Sequence, residues 1–208
     1  MRPRETANAQ RAHPWHGAPI GEHAPAKIWV YVEIVPTDTV KYELDKDTGL
    51  LKIDRPQKFS SVCPALYGFV PRTLAEVESG RLASERSGRP DLVGDHDPLD
   101  VCVFTEKEIP RGDVLLQAVP IGGIRLIDRN EADDKIVAVL ADDPAYSAWT
   151  DLAHVPAALV DRLRHYFLTY KQPPDAVAPV CEIAGIYGRE EAHEVIEAAR
   201  RDYRAVFG

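Results

Sequence analysis

Asp95, Asp97 and Asp100 lie in one short run, Asp95-His96-Asp97-Pro98-Leu99-Asp100, and carboxylates at that spacing can gather around hard cations. At an effective dielectric near 20, two carboxylates about 4 Å apart repel by roughly 4 kcal/mol. Three that converge need positive charge between them, and Mg²⁺ or Mn²⁺ suits aspartate oxygens. In an extended chain Asp95 and Asp97 would share a side, and Pro98 would bend the chain to return Asp100. An isolated D-x-D-x-x-D is more often a polar turn, because Asp and Pro are ordinary turn residues. A calcium EF-hand is excluded, since Leu99 and Asp100 stand where that loop needs a polar ligand and a glycine. An aspartyl-nucleophile phosphatase also fits poorly, with Leu99 in place of a small polar residue. The apolar run Val101-Cys102-Val103-Phe104 reads as a buried strand that would anchor the cradle.

Other charged residues are arranged to assist. Asp128 to Lys135 forms a mixed cluster between the strand-like runs Val114 to Ile127 and Ile136 to Leu140, as in a hairpin-like connection. Glu33 is embedded in the strand-like Ile28 to Val35, and Lys41 and Glu43 share one face of the next extended segment. Singly, these are what the wet side of a sheet carries. Together, Glu33, Glu43, Asp95, Asp97, Asp100, Asp128 and Asp133 could supply metals, and Lys41, Arg55, Lys135 and Lys171 could contact phosphate. Both signs in quantity suit a metal-bound polyanion as substrate.

From about Trp29 to Lys171 the chain resembles the soluble family I inorganic pyrophosphatases. The resemblance is carried by Val32-Glu33-Ile34, Lys41-Tyr42-Glu43-Leu44-Asp45, Asp54-Arg55, Tyr67-Gly68-Phe69, Asp95-x-Asp97-Pro98-Leu99-Asp100, Asp128, Asp133-Asp134-Lys135 and Tyr170-Lys171. It implies Mg²⁺-dependent hydrolysis of pyrophosphate, with Mn²⁺ as a substitute. Asp95, Asp100 and Asp133 would hold activating metals, with Asp100 shared, while Asp128 and Glu33 would help seat metals arriving with substrate. Asp97 would be the general base. Lys41, Arg55, Tyr170 and Lys171 would grip phosphoryl groups, and Lys135, Glu43 and Tyr67 would line and order the site. The family fold implied is a mainly β, α+β architecture: a five-stranded OB-like antiparallel barrel with two flanking helices near the C-terminus. A cytoplasmic homo-oligomer is implied as well, dimers and hexamers both occurring in the family.

The chain departs from the family pattern at two places. Cys63-Pro64-Ala65-Leu66-Tyr67-Gly68 replaces Tyr-Pro-x-Asn-Tyr-Gly, exchanging a phenol and an amide for a thiol and an aliphatic group. The stretch between Gly68 and Asp95 is longer than in compact members, and residues 75–92 read as a polar surface insertion.

Composition sets the outer bounds. The 208 residues suit a single domain at 27–208 behind an extended N-terminal arm at 1–26, which holds four prolines. A net charge of −8 argues against a nucleic-acid partner. Cys63, Cys102 and Cys181 are far apart, fitting neither a disulfide framework nor a zinc site. No apolar run approaches membrane-spanning length, and the first residues lack a signal-peptide core. His13-Pro14-Trp15-His16 makes a poor metal site, lacking an acid. Turns are expected at Asp47-Thr48-Gly49, Pro110-Arg111-Gly112 and Gly122-Gly123, and helices over Val155 to Lys171 and Arg189 to Val206. Two rivals to a diphosphatase remain: a metal hydrolase of an organic diphosphate or polyphosphate, and a catalytically dead OB-type binding module.

Overall fold

The structure is a computed structural model that describes residues 11–208 except 174, 176 and 178. Ten strands run in the order β1 (Ile28–Ile34), β2 (Val40–Leu44), β3 (Leu51–Pro56), β4 (Leu66–Phe69), β5 (Val93–Gly94), β6 (Asp100–Phe104), β7 (Val114–Asp128), β8 (Glu131–Ala132), β9 (Lys135–Leu140) and β10 (Cys181–Gly188). Among the described residues the α-helices are α1 (Val77–Ser87), α2 (Ala157–Thr169) and α3 (Arg189–Phe207). Strands β1, β4, β6, β9 and β7 pair in sequence and β7 closes back on β1, giving the expected five-stranded barrel. It is not wholly antiparallel, because β6 and β9 run parallel. That exception brings the first residues of both strands, Asp100 and Lys135, side by side at one rim.

Strict alternation along β6 and β9 feeds two cores. Val101, Val103, Ile136 and Ala138 pack with Val195, Ile196 and Ala199 of α3. Cys102, Phe104, Val137 and Val139 pack with Leu163, Tyr166 and Phe167 of α2. The period-two and period-3.6 patterns therefore interlock.

The structure departs from the sequence reading in three elements. Gly122 and Gly123 form no turn but lie inside β7, where β10 pairs alongside; a Cβ on Gly123 would stand 2.4 Å from the Tyr187 ring. β10 itself was not anticipated. The polar stretch read as a surface excursion contains α1, which packs on α3 and, through buried Gly80 and Ala83, on the segment around Leu92 to Gly94. A side chain at Gly80 would meet the Leu92 carbonyl at 2.6 Å.

The start of α1 is capped from the far end of the chain. Buried Asp202 of α3 accepts hydrogen bonds from the backbone N–H groups of Glu76, Glu78 and Ser79 at 3.0, 2.8 and 2.9 Å. No local pattern announces such a cap. Asp202→Ala should cost about 2 kcal/mol in urea unfolding. A loss below about 0.5 kcal/mol would show that α1 does not depend on it.

Candidate active site

The signature loop is not extended. His96 is in the left-handed region at φ 61°, and the Asp97 N–H donates to Asp95 Oδ1 at 3.0 Å, closing a tight turn. Alternation therefore fails here, and Asp95 and Asp97 face different spaces. Asp95 lines a narrow crevice with Ser79, Asp100, Asp133 and Asp134. Asp97 lines an adjoining cleft with Glu33, Lys41, Glu43, Lys46, Tyr67 and Asp100. Asp100 belongs to both.

The barrel rim fixes the centre. Lys135 is 2% exposed, and its ammonium is paired with both Asp100 and Asp133. Tyr67 of β4 donates its hydroxyl to Asp100 Oδ2 at 2.6 Å. Burial opposes the charge on Lys135, but Asp100 and Asp133 outweigh it and hold the ammonium firmly protonated. Asp133 is kept below the usual carboxylate range by Lys135 despite its burial. Burial pushes Asp95 up to about 8, reinforced by Asp133, and lifts Asp100 against the pull of Lys135.

Two bulges re-aim charged side chains. The β1–β4 register slips between Val32 and Ile34, setting Glu33 in a bulge. Its carboxylate accepts the Leu44 N–H at 2.6 Å, and burial pushes the group up to about 8. In the β2–β3 hairpin, Lys41 opposes Arg55 and Tyr42 opposes Ile53, leaving Asp54 as the extra residue. Asp54 pairs with both cations, at 3.5 Å to Lys41, while Glu43 holds the Lys41 ammonium at 2.8 Å. Sequence reasoning gave Asp54 no role, because a bulge follows from register rather than residue type. Lys46, which pairs with Asp97, was missed for the same reason.

Lys171, just past α2, donates to Asp128 Oδ2 at 2.6 Å and lies 5.3 Å from the Tyr170 ring centroid. Arg55 is on the hairpin and does not line the cleft with Lys41. Cys63 and Leu66, the departures from the family pattern, are both buried in the apolar cores.

The site fits hard divalent cations. Its free donors are carboxylate oxygens, and Asp128 Oδ1 is buried with no hydrogen-bond partner. Among the described residues no three acidic, histidine or cysteine side chains already form a ready cluster. The Lys135 ammonium supplies the positive charge between Asp100 and Asp133.

The family model described as inorganic pyrophosphatase matches residues 30–204. The chain belongs to that family. It is 50% identical over 199 residues to an inorganic pyrophosphatase of Chlamydia muridarum, covering 94% of this chain and 95% of the relative. It is 40% identical over 186 residues to soluble inorganic pyrophosphatase 3 of Arabidopsis thaliana, covering 89% and 76%. The crystal structure of the inorganic pyrophosphatase from Thermus thermophilus superposes with a TM-score of 0.78 at 27% identity, covering 93% of this chain and 99% of that one. The pyrophosphatase fold thus extends over nearly the whole chain.

Lys135→Met should lower stability by about 3 kcal/mol in EDTA, since it strands two buried carboxylates. The deficit should shrink as Mg²⁺ is added. A deficit independent of Mg²⁺ would contradict a cation-binding role for Asp100 and Asp133.

Proposed function

We propose that this member of the inorganic pyrophosphatase family hydrolyses pyrophosphate to two orthophosphates with Mg²⁺ as cofactor and Mn²⁺ as a substitute. The observation that carries the reading is the junction at Asp100, where the carboxylate-rich crevice meets the cleft lined by Lys41, Lys46 and Tyr67. Asp95, Asp100 and Asp133 would hold activating cations, and Asp128 and Glu33 would receive those that arrive with substrate. Bound divalent cations would supply Lewis acidity, favouring ionisation of the attacking water near neutral pH.

The chain's own residues supply the rest. Asp97, on the cleft side, accepts a proton from that water. The water oxygen forms a new bond to one phosphorus as the bond to the bridging oxygen breaks, and the protons of the water end on the two phosphates. Lys41, Arg55, Tyr170 and Lys171 neutralise charge developing on the non-bridging and leaving oxygens. Tyr67 and Lys135 fix the Asp100 carboxylate, and Glu43 holds Lys41. The assignment of 27–208 as one domain, together with a cytoplasmic homo-oligomer, belongs to the same reading; of the arm expected at 1–26, residues 1–10 lie outside the described residues, while Trp15 and Ile20 are buried in the core. Among the described residues no helix is long and apolar enough to cross a membrane.

Phosphate release from pyrophosphate should be fast with Mg²⁺ and abolished by EDTA. Asp97→Asn should remove at least ~100-fold of the rate while leaving Mg²⁺ binding near wild type in calorimetry. Asp100→Ala should weaken both. Near wild-type turnover by Asp97→Asn would refute the base assignment, and a preference for a nucleoside triphosphate or tripolyphosphate would favour the organic or polyphosphate hydrolase.

A further inference from the structure

The reaction leaves the His13-Pro14-Trp15-His16 turn without a role, yet this turn touches both walls of the cleft. Trp15 is 4% exposed and lines the cleft beside Glu33, Lys41 and Asp97. Its Nε1 donates to the Thr73 carbonyl at 2.7 Å, and Thr73 Oγ1 in turn accepts the Leu99 N–H at 2.9 Å. The same segment holds Asp97 directly, because the Ala75 N–H donates to the Asp97 carbonyl at 2.8 Å. One wall, the signature loop, is thus tied to the N-terminal turn through residues 73–75.

His13 serves the other wall. Its Nδ1 accepts the backbone N–H groups of Trp15 and His16 at 3.2 and 3.3 Å. The hydrogen therefore sits on Nε2, which donates to the Lys46 carbonyl at 3.1 Å. Gly49 closes on the same ring, where a Cβ would come within 2.7 Å of His13 Cδ2. Lys46 reaches across the gap. Its ammonium pairs with the Asp97 carboxylate and donates to the His96 carbonyl at 3.2 Å.

An ammonium has three N–H donors, so two protein partners leave one free. The Lys46 side chain is 45% exposed and lines the cleft, open to an anion entering from solvent. Lys41, the other lysine there, is already shared by Glu43 and Asp54. We propose that Lys46 is a further substrate-binding cation for the diphosphate, and that His13 and Trp15 are the positioning residues that hold it opposite Asp97. The inference rests on the diphosphatase reading.

Steady-state kinetics on Mg²⁺-pyrophosphate test it with four single variants and one double variant. Lys46→Met should raise KM about tenfold with kcat within about threefold, and Lys46→Arg should recover most of the loss. His13→Asn retains a side-chain oxygen able to accept the turn's N–H groups but is too short to reach Lys46. It should raise KM about threefold, with no further rise when combined with Lys46→Met. Trp15→Phe keeps the ring, loses the bond to Thr73, and should raise KM by a similar factor. If His13→Asn and Trp15→Phe lower the unfolding midpoint while KM stays at the wild-type value, the turn is structural only and the proposal fails. An active wild type with an unchanged KM in Lys46→Met overturns this inference alone; an inactive wild type overturns the diphosphatase reading with it.

Discussion

The structure is organised by a charge-balance constraint: Asp95, Asp100 and Asp133 crowd one rim of the barrel, and among them the Lys135 ammonium is paired with Asp100 and Asp133. In a poorly solvated space, like charges at close range cost several kcal/mol, and burial raises the penalty. One ammonium pairs with two of the three, and Asp95, left outside that pairing, is pushed up to about 8 by burial and by Asp133. Lys135 also holds its pair of acids in place. A buried lysine beside aspartates can look like an ordinary ion pair. Here it ties two acids of the crevice, one on β6 and one just before β9, to a single ammonium.

Much of the architecture meets that constraint. The single parallel pairing in the barrel ring, β6 with β9, is what places Asp100 next to Lys135. Tyr67 reaches Asp100 from the neighbouring strand β4. The bulge at Glu33 and the bulge at Asp54 each turn a carboxylate toward a partner that regular alternation would not give it. Helix α1 braces the outer side: Asp202 caps it from α3, and the adjoining Ala75 exchanges backbone hydrogen bonds with His96 and Asp97. The longer segment before the signature is therefore joined to the signature loop itself.

The acids of the signature were legible because type, spacing and adjacency lie within one short run, Asp133 and Lys135 stood out in a mixed charged cluster between strand-like runs, and the family resemblance supplied Tyr67. The barrel strands were legible from their period. What escaped notice depends on distant partners. Helix α1 is polar, interrupted by Gly80 and capped from α3, so its local pattern is weak. Gly122-Gly123 has turn-like composition but serves the close pairing of β7 with β10 under the Tyr187 ring. Asp95 and Asp97 were expected on one side, and the left-handed His96 separates them. Lys46 and Asp54 acquire their partners from loop approach and register, which residue identity does not encode.

The central claim is that these carboxylates are a shared cation cradle around Asp100. Anomalous diffraction from crystals grown with Mn²⁺ and a non-hydrolysable diphosphate analogue tests it most directly. The account predicts manganese peaks among Asp95, Asp100 and Asp133 with Asp100 bridging two of them, and the analogue against Lys41, Arg55 and Lys171. Manganese bound elsewhere, with the Asp100–Lys135–Asp133 group unchanged, would contradict it.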